Sequence, residues 1–125
     1  MNIWLLAAAI NGFVAVAAGA FGAHGLEGRV SPQDLEIFQT GAHYHLTHAL
    51  AMGLSALAVR AGGAGRMANA AAGLFLAGVI LFSGSLYFLG FTGSRALVLV
   101  TPIGGLSLLA GWTALACCAF RSARR

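Results

Sequence analysis

Between Ile3 and Phe21 the chain carries no charged side chain, and Asn11 is the only strongly polar residue in the run. A helix rises 1.5 Å per residue, so about 20 such residues cross the ~30 Å hydrocarbon core of a bilayer. Comparable apolar stretches recur at about 42–60, 67–91 and 96–120. Only 8% of the residues are charged and 59% are hydrophobic, whereas a soluble domain carries about 25% charged residues. These features predict an all-α, polytopic membrane protein: a four-transmembrane-helix bundle forming a single membrane domain over residues 1–125. No basic segment precedes the first run and no convincing cleavage context follows it, so it reads as a retained span.

The second stretch is the exception to the apolar rule. SPQDLEIFQTGAHYHLTHALA, residues 31–51, holds three of the four histidines, His43, His45 and His48. Ser31 suits an N-cap, Pro32 the first helical position, and Asp34 places a carboxylate near the positive helix end. No strong breaker follows before Gly62. One helix is therefore expected from about Pro32 to Arg60, with 32–41 an interfacial extension of the span. At 100° per residue the three histidines spread around much of this helix, so they cannot all face one metal.

Small residues mark where helices can approach closely in lipid. Gly12 and Gly19 lie on such a stripe in the first span, Gly73 and Gly84 in the third, and Gly104 and Gly111 in the fourth. Asn11 reads as a partner in an interhelical hydrogen bond, ahead of the alternative of a pathway or ligand contact. His24 and Gly25 read as the end of the first helix, with Gly25 a left-handed stop. Thr101-Pro102 predicts a kink in the fourth span, because Pro102 has no N–H to donate. Cys117 and Cys118 are adjacent within an apolar run and read as small buried residues.

GAFGAHGL (19–26), TGAHYHLTHALA (40–51), LFSGSLY (81–87) and TPIGGLSLLAGW (101–112) resemble a family of small uncharacterised bacterial inner-membrane proteins that also includes the animal transmembrane protein 256. The resemblance covers nearly the whole chain, in register. Its pattern contains residues matching His24, Gln39 to Gly41, Tyr44, His48, Ser83 to Ser85 and Thr101 to Gly105, and does not call for histidine at 43 or 45. It implies an integral membrane protein with four helices and supplies no activity.

A candidate polar pocket or network follows: His24, Gln39, Tyr44, His48, Ser83, Ser85 and Thr101. Helix one leaves the membrane where helix two enters, which predicts that His24 lies at the depth of Tyr44 and His48, within about one helix diameter, 10–12 Å. Three function classes fit. The first in weight is a structural or accessory membrane component, in which these groups bond one another across helices. The second is a small binding or transport module using the same residues as an outward-facing pocket. A haem- or metal-binding enzyme, with His24 and His48 as ligands, comes a distant third. No metal motif, nucleophile–base motif or phosphate loop is present in the sequence. No catalytic residue, metal or cofactor is therefore assigned. The bilayer is the expected partner, nucleic acid is not, and a homo-oligomer or a membrane-protein partner stays open.

The net charge of +4 comes from seven arginines and no lysine against three acids. With four spans, Arg60, Arg66, Arg121, Arg124 and Arg125 share one side with both termini, and Arg29 and Arg95 take the other. Basic residues favour the cytoplasmic side, which predicts a cell-inner-membrane protein with cytoplasmic N- and C-termini. A reporter active only in the periplasm, fused after Arg125, is expected to be silent; activity there would reverse the orientation.

Overall fold

The computed structural model describes residues 1–122, so Arg124 and Arg125 lie outside the described residues. Four helices follow one another: α1 (Ile3–Phe21), α2 (Pro32–Ala61), α3 (Gly65–Thr92) and α4 (Val100–Ser122). No strand occurs among the described residues. Helices Ile3–Leu26, Gly65–Thr92 and Val100–Arg121 are each long and apolar enough to cross a membrane. α2 has the length, but its histidines and polar first turns set it apart in composition.

The termini of the helices follow from local chemistry. Asn2 caps α1, its side-chain oxygen accepting the Leu5 N–H at 3.1 Å. α1 then widens into one turn of π-helix, Gly22–Leu26. The chain reverses at Gly28, which takes φ 78°, and not at Gly25. The stop is displaced because the π turn carries the helical path through His24 and Gly25 to Leu26. Ser31 accepts the Asp34 N–H at 3.1 Å and Pro32 opens α2, which then runs unbroken to Ala61. Gly93, in the left-handed region, closes α3 by donating its N–H to the Leu89 carbonyl at 2.7 Å. α4 begins at Val100, not near Ala96, so Pro102 falls in its first turn. First-turn N–H groups have no intrahelical acceptor, so the proline removes no helical bond and gives no reason for a kink.

The helices pack in chain order: α1 on α2, α2 on α3, and α3 on α4, while α2 and α4 barely meet. The main core cluster combines alanines with Met52, Phe75, Val79 and Leu108; Met52, Ala56, Ala68, Ala71, Ala72 and Phe75 are fully buried. Glycine fixes the approach of α4. A Cβ at Gly104 would collide with the backbone of Phe82, and one at Gly78 with Leu108. At Gly111 it would stand 2.7 Å from the Phe75 ring. Gly19 and Gly73 make ordinary contacts, with Ala42 and Trp4. Gly12 and Gly84 do not pack at all: a Cβ on either meets nothing within 4 Å. Regular spacing put them on a stripe with true contact glycines, but the neighbouring helix does not follow that stripe along its whole length. Gly22, Gly41, Gly78 and Gly90 are the contact positions that the stripes leave out. A Cβ at Gly90 would lie 2.7 Å from the Asp34 carbonyl and from Phe38. The first turns of α2 are thus clamped between the end of α1 and the end of α3.

The same substitution therefore separates the two kinds of glycine. Gly104→Ala is expected to lower unfolding free energy in detergent by about 1–3 kcal/mol through overpacking. Gly84→Ala is expected to be neutral or stabilising by up to about 1 kcal/mol, since alanine is the better helix former. Thermal or denaturant unfolding of the two variants checks the contrast.

Candidate functional site

Side-chain hydrogen bonds tie the helices together at several levels, and α2 supplies the two central groups. Asn11 Nδ2 donates to the Ala7 carbonyl at 2.8 Å, which turns its Oδ1 toward α2. That oxygen lies 2.9 Å from His45 Nε2, and His45 Nδ1 lies 2.8 Å from the Tyr87 hydroxyl. The partners assign the tautomer: Nε2 carries the proton and donates to Asn11, while Nδ1 accepts from Tyr87. One buried imidazole thereby joins α1, α2 and α3.

His48, three residues further on and about 60° round the helix, meets a different neighbour. Its Nδ1 sits 2.7 Å from the Tyr44 carbonyl, which can only accept, and Trp112 Nε1–H donates to its Nε2 at 3.0 Å. His48 is therefore the opposite neutral tautomer, protonated on Nδ1. It lies edge-on to Trp112 and near Phe75, and the exposed Tyr44 ring lies parallel to it at 6.0 Å between centroids. Tyr44 also meets Phe82 at 4.8 Å. An open groove of about 500 Å³ between α2 and α4 is bordered by Tyr44, His48, Phe82 and Trp112.

The sequence-based candidates do not form one cluster. Tyr44 and His48 meet. Ser85 bonds Thr101 across α3 and α4 and also donates to the Phe82 carbonyl. Gln39 donates to the Gly19 carbonyl at 3.2 Å, binding α2 to α1. Ser83 is fully buried and its hydroxyl has no partner among the described residues. His24 is exposed on the π turn. Gly19 faces Ala42 and Gly53 faces Ala8, a register that sets Phe13 level with His48. His24 is eleven residues beyond Phe13, about 16 Å along the axis at 1.5 Å per residue. The expected His24–His48 proximity fails for that reason: α2 pairs with α1 from Phe38 onward, so His48 is already deep when the chain reaches it. Among the described residues, no three His, Cys, Asp or Glu side chains gather as a metal site would require.

Asn11, His45, Tyr87 and Trp112 are the residues that sequence reasoning left out of the set. Asn11 carried the available signal, as a lone amide in a span that needs a partner on a facing helix. His45 gave none, because its face depends on which helix lies on either side of α2.

With this geometry in view, comparison with known proteins is informative. Residues 18–105 match the model of a family described as protein of unknown function (DUF423). The chain belongs to this family. The UPF0382 membrane protein YwdK of Bacillus subtilis is 42% identical over 113 residues, covering 90% of this chain and 91% of that protein. The UPF0382 inner membrane protein YgdD of Escherichia coli is 42% identical over 122 residues, covering 97% and 92%. A UPF0382 membrane protein of Haemophilus influenzae is 40% identical over 121 residues, covering 97% and 96%. No solved structure matches. The family assignment and the apolar helices make this an integral membrane protein embedded in a lipid bilayer, in a family without an assigned activity.

His45→Ala is expected to destabilise the protein in detergent by about 1–3 kcal/mol, because Asn11 and Tyr87 are left unpaired. A double-mutant cycle of Asn11→Ala with His45→Ala should give a coupling of about 0.6 kcal/mol, up to about 1.7, the range for hydrogen bonds between membrane helices. His24→Ala should stay within about 0.5 kcal/mol of the parent.

Proposed function

We propose that this protein is a structural or accessory component of the membrane, a four-span bundle whose polar side chains serve to fix the helices against one another. One observation carries the reading: all four ring nitrogens of His45 and His48 are engaged by groups of the chain itself. No lone pair or N–H of either imidazole is left for a ligand. In this proposal α2 is the fourth span, and both termini are cytoplasmic. The arginine asymmetry supports that orientation, and the inner-membrane description of the Escherichia coli relative supports the compartment. The kinship with the animal transmembrane protein 256 belongs to the same proposal and rests on the shared motifs alone.

A second reading, a small binding or transport module, draws on the buried unpaired hydroxyl of Ser83 and the groove beside His48. A membrane-embedded polar group without a partner is the usual mark of a ligand path.

His48→Ala distinguishes the two. On the accessory reading, the variant melts lower in detergent, because Trp112 loses its acceptor, and native mass spectrometry finds the same bound species before and after substitution. A variant that keeps its stability while losing a bound small molecule would replace this proposal with the binding reading.

A further inference from the structure

One hollow lies among the ends of α1, α2 and α3, and another lies between α1 and α2. At the arginine-rich end, a cleft of about 380 Å³ is bordered by Asn2, Trp4, Arg60 and Asn69. Deeper along the same two helices runs a groove of about 680 Å³ lined only by apolar residues, from Leu5 and Leu57 to Gly12 and Leu46. Arg60 stands seven residues from Gly53 and fourteen from Leu46. Two helical turns separate the first pair and four the second, so Arg60 falls on the helix face that borders the groove. Asn2 stands in the same relation to Ala9 on α1. The groove runs from Leu46 to Leu57 on α2, about 16 Å, which is close to half of a ~30 Å hydrocarbon core, or one leaflet.

The polar cleft is short of acceptors. Arg60 is a cation at an end of the bundle that holds no acid, since Glu27, Asp34 and Glu36 all fall near the opposite end. The Asn2 oxygen is committed to the Leu5 N–H, so its amide nitrogen turns the other way, where it is shielded from water and has no partner among the described residues. The Trp4 indole and the Asn69 amide are already engaged, because Trp4 donates to Asn69 at 2.7 Å and Asn69 to the Gly65 carbonyl. The Ile3 and Trp4 N–H groups, in the first turn of α1, have no intrahelical acceptor and add the positive end of the helix dipole.

A site with donors and a cation at the rim, and a hydrocarbon slot one leaflet long below it, suits one kind of molecule. We propose that it binds an anionic glycerophospholipid, with the phosphate at Arg60 and the first turn of α1 and one acyl chain along the α1–α2 groove. The neighbouring cleft at Arg66 and Arg121 serves as an internal comparison, having two cations but, among the described residues, none of the apolar groove in its lining.

The test uses the full chain in mild detergent with equal amounts of phosphatidylglycerol and phosphatidylcholine of matched chains, read by native mass spectrometry. Phosphatidylglycerol should be retained preferentially, and Arg60→Gln should reduce that preference about tenfold, the loss of one charge-assisted contact. Arg66→Gln and Arg121→Gln should leave it unchanged. Gly12→Leu should fill the groove and lower retention with helix content preserved, as its Cβ meets open space. Millimolar inorganic phosphate should not displace the lipid. Equal retention of the two lipids would overturn the proposal, as would an equal effect of Arg66→Gln, which signals diffuse attraction. Displacement by inorganic phosphate would identify a free-phosphate site instead. Unchanged retention in folded Gly12→Leu, or a wild-type dimer that this variant dissolves, would also overturn it, the second by making the groove an interface between copies.

Discussion

In hydrocarbon a leucine has no reason to leave lipid for a neighbouring helix, so packing and hydrogen bonds must do what water does for a soluble core. The contact of α3 with α4 meets that demand most directly. Gly78, Gly104 and Gly111 let Leu108, the Phe82 backbone and the Phe75 ring into positions that any Cβ would occupy. Each closer approach multiplies small dispersion gains along two whole helices. The leucines that would dominate a soluble core point outward instead: Leu50, Leu54, Leu57, Leu106 and Leu109 are all more than half exposed.

Hydrogen bonds then fix what close packing alone leaves free. Two smooth, alanine-rich faces can slide or rotate past one another with little change in contact. A bond from Asn11 through His45 to Tyr87 cannot survive a one-residue slip, because the partners would move to another face. His45 and His48 are three positions apart, which turns them to different neighbours. One imidazole secures the α1–α3 side and the other reaches α4 through Trp112. The opposite tautomers follow from this division. His45 meets an amide oxygen and a hydroxyl, whereas His48 meets a backbone carbonyl and an indole N–H.

Much of the fold was legible in the sequence because its signals are local. The Ser31-Pro32 start, the long uninterrupted second helix and the apolar runs each depend on residues close together in the chain. The candidate site was legible only in part. Tyr44 with His48, and Ser85 with Thr101, come together, but His24 does not join them. The depths differ because α2 already pairs with α1 at Phe38 and Gln39, opposite Gly22, and one register holds from there to Gly53 opposite Ala8. Gly12 and Gly84 were indistinguishable from Gly19 and Gly104 by spacing, since whether a glycine packs depends on the partner helix.

The composition of α2 explains its place in the order of helices. It is the one helix not marked as a membrane span by apolar length alone, and it is held by α1 on one side and α3 on the other. α1 and α4, at the ends of the series, present mostly aliphatic and aromatic surface, and the exposed Thr113 of α4 bonds the Leu109 carbonyl of its own helix. An imidazole on either outer helix, turned outward, would meet lipid with no acceptor. On α2 the same side chain finds Asn11 and Tyr87, or Trp112, within reach. Polar residues can therefore accumulate on α2 at low cost, and each one that finds a partner narrows the arrangements its neighbours can adopt. Ser83 departs from this pattern. It sits on α3 one turn before Tyr87, fully buried, with no acceptor of its own, although a serine in a helix can bond the carbonyl four residues back. Among the described residues its hydroxyl is thus left unanswered one turn from Tyr87, which does answer His45.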